Sequence, residues 1–158
     1  MTRQETFPNG ISRTFAKTLT EEKIEFVARM GLVAELLAPG HVRLRAPLDG
    51  NQNHLGTMYA GALFTLAEIP GGALAITSFD VARFYPIVKS MTVDFLRPAT
   101  TDITVELTIT ADEIARIETE ANTAGKSTFL LRAELKDTTG QVVMTSLGDY
   151  QLRTWAKP

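Results

Sequence analysis

Asn53-His54-Leu55-Gly56-Thr57-Met58-Tyr59-Ala60-Gly61-Ala62-Leu63-Phe64-Thr65-Leu66-Ala67-Glu68 is a polar, glycine-bearing loop that runs straight into an apolar helix. The first amides of a helix lack intrahelical partners and sit at the positive end of its dipole, so they can hold an anion. One carboxylate, Glu68, stands about two turns further on. Oxyanion donors together with a carboxylate are what acyl transfer by hydrolysis requires. The amides where the loop enters the helix are therefore candidate anion donors, and Glu68 a candidate base or nucleophile.

The helix continues into the seventies with Ala62, Ala67, Gly71, Gly72, Ala73 and Ala75. Such small side chains let a sheet approach the helix backbone closely. Pro70 lacks the N–H that would bond the Leu66 carbonyl, so a kink or break is expected there, with a roomier pocket beside Glu68. Leu66, Ala67 and Ile69 are apolar, which places Glu68 in a poorly solvated setting and raises its pKa. The run from Met58 to Phe79 is apolar, but Glu68, Pro70, Gly71 and Gly72 at its middle argue for a buried core helix rather than a membrane span.

Around this helix the chain reads as strands. Leu32 to Leu37 and Val42 to Ala46 form a pair broken at Pro39-Gly40-His41. Met91–Phe95, Ile103–Ile109 and Phe129–Lys136 alternate apolar and polar residues, and Asp137-Thr138-Thr139-Gly140 turns the last into Val142–Arg153. Residues 112–124 read as an acidic helical insert, with Ile114, Ile117 and Ala121 facing inward. Thr20 to Met30 reads as a helix capped by Thr20, stapled by Leu19 and Ile24, and stopped at Gly31. Residues 1–19 show no period and read as a loosely ordered start. An antiparallel sheet with one apolar face needs cover, and one very apolar helix is available, so the economical arrangement wraps the sheet around that helix. This is an α+β hotdog fold in a single domain over residues 1–158.

Bulk properties narrow the function. With 158 residues the chain can bury a proper core, and a net charge of −2 without a basic stripe argues against nucleic acid. There is no cysteine, hence no disulfide framework, thiolate nucleophile or cysteine metal site. His41 and His54 lack metal-ligand spacing, so no metal is expected. The first nine residues have no apolar core and do not read as a signal peptide, which fits a cytoplasmic protein.

The 53–68 stretch also resembles the signature of hotdog-fold acyl-CoA thioesterases of the phenylacetate-degradation type, roughly Asn-x-x-Gly-Thr-x-His-Gly-Gly followed by a helix ending Leu-Ala-Asp/Glu. The matching positions are Asn53, Gly56, Thr57, Tyr59, Ala60, Gly61, Leu66, Ala67 and Glu68. Tyr59 stands where that family has His, and Ala60 where it has the first Gly, a pattern closer to an uncharacterised branch. The resemblance implies thioester hydrolysis with Glu68 as general base or nucleophile and the Ala60 and Gly61 amides on the carbonyl oxygen. It implies substrate-binding roles for Asn53, Gly56 and Tyr59, although Asn53 reads equally as a turn residue bonding its own loop. It also implies a homodimer or dimer of dimers with active sites at the interface, and an acyl-CoA substrate with no cofactor, coenzyme A being part of the substrate. A phenol donates a hydrogen bond but is no base near pH 7. A non-catalytic acyl or acyl-CoA binding module of the same fold is therefore the alternative.

Overall fold

A computed structural model describes residues 6–155. Ten elements follow one another: α1 (Arg13–Glu21), α2 (Glu25–Met30), β1 (Val33–Ala38), β2 (His41–Ala46), α3 (Ala60–Ser78), β3 (Phe84–Phe95), β4 (Ile103–Thr108), α4 (Ala111–Ala124), β5 (Lys126–Lys136) and β6 (Val142–Thr154). All strand pairings are antiparallel, in one six-stranded sheet ordered β1-β2-β4-β5-β6-β3. The sheet wraps α3, so the architecture is the expected hotdog fold.

The N-terminal reading needs correction. Most of the segment expected to be loose is ordered; residues 1–5 of it lie outside the described part. Ser12 caps α1 by accepting a hydrogen bond from the Phe15 amide at 3.1 Å. Thr20 is not a cap: it is buried in the last turn of α1, and its hydroxyl donates to the Ala16 carbonyl at 2.9 Å. The expected single helix is thus two, broken between Glu21 and Glu25. Ile24 is the N-cap residue of α2 and is exposed, so it forms no buried staple. Gly31 does end α2 in the left-handed region, with φ of 72°.

Helix α3 supplies the centre of the core. Leu66 and Leu74 are fully buried, and with Leu44, Ile103, Leu135 and Leu152 they fill the space between helix and sheet. Burial of one such side chain stabilises the fold by about 1.5–3 kcal/mol. The helix is long and apolar enough to cross a membrane by length and composition, but 61% of its most apolar window is buried inside the protein. It runs through Pro70 without the expected break. Asn9 ties down its far end, donating from its amide nitrogen to the carbonyls of Ile76 and Phe79, each at 2.7 Å.

One stripe of α3 remains partly open. Gly61, Thr65, Glu68, Gly72 and Ile76, at helical spacing, are only half-buried, and Phe64 beside them is exposed. Strand β3 lies at the sheet edge and exposes Val88 and, at its end, Phe95; Leu96 just beyond is also exposed.

Candidate functional site

The loop before α3 is built by its own polar residues. Asn53 Oδ1 accepts from the amides of Leu55 at 2.9 Å and Thr57 at 3.2 Å, while its Nδ2 donates to Thr57 Oγ1 at 2.9 Å. This is the turn-forming alternative for Asn53. Gly56 takes φ of +80° at the exposed tip, where its amide bonds the Asn53 carbonyl at 3.1 Å. Below them Asn51 is buried, and its Nδ2 donates to the carbonyls of Met30 at 2.7 Å and Pro47 at 2.8 Å. Its own carbonyl accepts from the Tyr59 amide at 2.8 Å, and the Met58 amide bonds the Ala99 carbonyl at 2.8 Å. The chain therefore enters α3 at a fixed angle.

Tyr59 is the N-cap residue, in extended conformation with φ −61° and ψ 139°. Its carbonyl accepts from the amides of Ala62 at 3.0 Å and Leu63 at 3.1 Å. The Ala60 and Gly61 amides, at the first two helical positions, have no hydrogen-bond partner among the described residues. They are the donors the sequence singles out. The Tyr59 ring folds back over Gly61, where an added Cβ would stand 2.4 Å from Tyr59 Cε1. Glycine is needed there for close approach, not for its dihedral freedom.

Glu68 is half-buried on the open stripe, and burial pushes its carboxyl above the ordinary value. It follows Gly61 by seven residues and Ala60 by eight, so about 11 Å of helix rise separates acid from amides. Within one chain they share a face but cannot share one carbonyl group. Helix α3 continues through Pro70, so no break in it supplies the roomier pocket expected beside Glu68. A cavity of about 480 Å3 lies towards the start of α3, between α2 and the 50–54 loop. Phe26, Met30, Tyr59 and Ala62 give it apolar walls, and Arg29 and His54 also line it.

Tyr150 on β6 reaches α3 from the opposite side. It is 2% exposed, and its hydroxyl donates to the main-chain carbonyl of Glu68 at 3.0 Å. Burial, and then the Glu68 charge, push its phenol well above the ordinary value.

Residues 12–151 match a domain of unknown function, DUF4442. The chain belongs to the DUF4442 family. Among solved structures it is similar to a protein of unknown function from Pseudomonas aeruginosa described as a probable thioesterase. The two are 60% identical, with a TM-score of 0.85 over 89% of this chain and 95% of that one. A thioesterase from Haemophilus influenzae shares the fold at 12% identity, with a TM-score of 0.73 over 99% of this chain and 98% of the other. A protein of unknown function from Chlorobaculum tepidum does so at 19% identity and a TM-score of 0.76, over 87% and 91% of the two chains. No curated protein matches.

Two residues of this DUF4442 site carry no signal in the sequence. Asn51 sits beside Asn53 in a loop full of turn formers, and its partner Met30 is 21 positions away. Tyr150 lies 82 positions from Glu68 and reads as one more inward residue of an alternating strand. A tyrosine on the buried face of a strand does signal a hydroxyl in need of a partner, and that is the clue available.

Proposed function

We propose that the protein hydrolyses an acyl-CoA thioester at sites completed between two copies of the chain. The observation that carries this reading is the open stripe of α3, which bears partnerless amides at one end and a carboxylate of raised pKa two turns along it. Two such helices, antiparallel across a twofold axis, bring the acid of each beside the amides of the other. The free edge of β3, with exposed Val88 and Phe95, supports that pairing.

In this reading the thioester oxygen accepts from the Ala60 and Gly61 amides of one protomer. Glu68 of the other takes a proton from water as its oxygen attacks the carbonyl carbon. The tetrahedral oxyanion collapses, the C–S bond breaks, and the proton passes to the departing sulfur, giving free acid and CoA. A carboxylate lifted towards neutral pH is suited to that exchange. The cavity beside Tyr59 receives the acyl chain along Phe26, Met30, Tyr59 and Ala62, where the Asn51 and Asn53 side chains are already engaged within the protein, and Arg29, Gln52 and His54 supply its polar part. The description of the 60% identical relative as a probable thioesterase points the same way.

Thiol release from a panel of short, long and aromatic acyl-CoAs tests the reading. The wild type is expected to turn over part of the panel and Glu68→Gln none of it, with the same assembly by light scattering. Undiminished turnover in Glu68→Gln would remove Glu68 from the mechanism. The second reading, an acyl-CoA binding module, is favoured by the Tyr59 ring lying over Gly61. Calorimetric binding without thiol release would establish it instead.

A further inference from the structure

We infer that Tyr150 is a positioning residue for Glu68, a role that rests on the hydrolytic reading above: its hydroxyl tethers the helical turn that carries the carboxylate. Three features of the chain converge on this one ring. A Cβ at residue 71 would stand 2.3 Å from Tyr150 Cε1 and 2.8 Å from its hydroxyl oxygen. A Cβ at residue 148 would stand 2.3 Å from Cε2 on the ring's other edge. Glycine at both positions therefore leaves a slot between α3 and β6 that the ring fills, with Phe129 stacked at 5.9 Å between centroids. Pro70 is the third feature. It removes a ladder bond at Leu66, so the turn around Glu68 is the one the helix itself holds least firmly. The Tyr150 hydroxyl donates to the Glu68 carbonyl in that turn.

A tyrosine in a dry core needs only some acceptor for its hydroxyl. Here the acceptor is the main chain of the single carboxylate on the open stripe of α3. The phenol, held well above its ordinary pKa by burial and by the Glu68 charge, stays a donor throughout the pH range in which the carboxylate titrates. The tether keeps the Glu68 side chain at one depth, half out of solvent, and so maintains the environment that makes it a stronger base.

Tyr150→Phe keeps the ring and removes only the hydroxyl. In the full chain the variant is expected to fold, as judged by circular dichroism. Its kcat for thiol release is expected to fall about tenfold with KM unchanged, as loss of one aligning hydrogen bond implies. The Glu68 carboxyl, followed by carbon NMR, is expected to titrate lower in the variant than in the wild type, because a loosened turn admits water. A folded Tyr150→Phe protein with unaltered Glu68 titration overturns the inference, whatever the kinetics. Should the wild type hydrolyse no thioester, the hydrolytic reading fails, and the NMR titration still decides whether Tyr150 sets the environment of Glu68. If Tyr150→Phe does not fold, the titration is compared in Gly148→Ala, whose added Cβ would stand 2.3 Å from Tyr150 Cε2 and forces the ring out of its place; an unmoved Glu68 midpoint there also overturns it.

Discussion

Ala60 offers a substitution that separates chemistry from folding. Proline is well tolerated at the first position of a helix, and Tyr59 before it already has the extended conformation that a following proline demands. Ala60→Pro therefore deletes one proposed oxyanion donor while leaving α3 intact. Turnover is expected to fall about 100-fold or more, in line with roughly 3 kcal/mol per donor, with no loss of melting temperature. Equal turnover would show that this amide does not touch the reacting group. Glu68 carries a pH signature of its own. Because burial raises its folded pKa, the folded state holds the proton more tightly than the unfolded chain does. The resulting stabilisation is present below the ordinary carboxylate value of 4.5 and is lost as pH rises through the folded pKa. Glu68→Gln is thus expected to raise the melting temperature relative to wild type more at pH 7 than at pH 4. A pH-independent difference would contradict the desolvated setting. These residues were legible because their relation is local, set by a loop and the two helical turns after it. For Asn53 the sequence offered two roles, and its hydrogen bonds supply the turn-forming one, with Gly56 turning the same loop at positive φ.

At the scale of elements, periodicity read well wherever burial alternated strictly. Strand β5, buried at every second position, and β4 were plain for that reason. Strand β3 was legible only in its second half. Pro86 and the bulge between Val88 and Ser90 interrupt the alternation of its first half, and both are tolerated because the strand lies at an edge. Helix α1 escaped notice because it is only 9 residues long and its apolar positions, Phe15, Ala16 and Leu19, are too few to establish a period. The break expected at Pro70 does not occur; the helix is held from both sides by the sheet, and Tyr150 tethers it at Glu68. The fit between α3 and β6 yields a stability prediction. Gly71→Ala places a methyl 2.3 Å from the Tyr150 ring, so the buried ring or the helix must shift to admit it. A loss of about 1–3 kcal/mol is expected by denaturant titration. Gly72→Ala, with nothing within 4 Å, is the control and is expected to be neutral or stabilising. Equal effects of the two would contradict the slot described for the ring.

For the whole molecule, the distance between acid and amides along one helix makes assembly part of the proposed chemistry. About 11 Å of rise separates them within a chain, so under the proposed mechanism a lone protomer holds two half-sites and no complete one. Light scattering is expected to give a dimer or larger assembly. Val88→Asp, on the exposed edge of β3, is expected to weaken that assembly and lower turnover together. Two inactive proteins provide the most direct measurement. In a heterodimer of Ala60→Pro with Glu68→Gln, one site combines the intact Glu68 of the first with the intact amides of the second, and the other site carries both defects. Purified heterodimer carrying two different affinity tags is predicted to recover about half the wild-type thiol release, as twofold symmetry requires. A heterodimer as inactive as its two parents would show that acid and amides do not meet across the interface, and the proposed site would be lost.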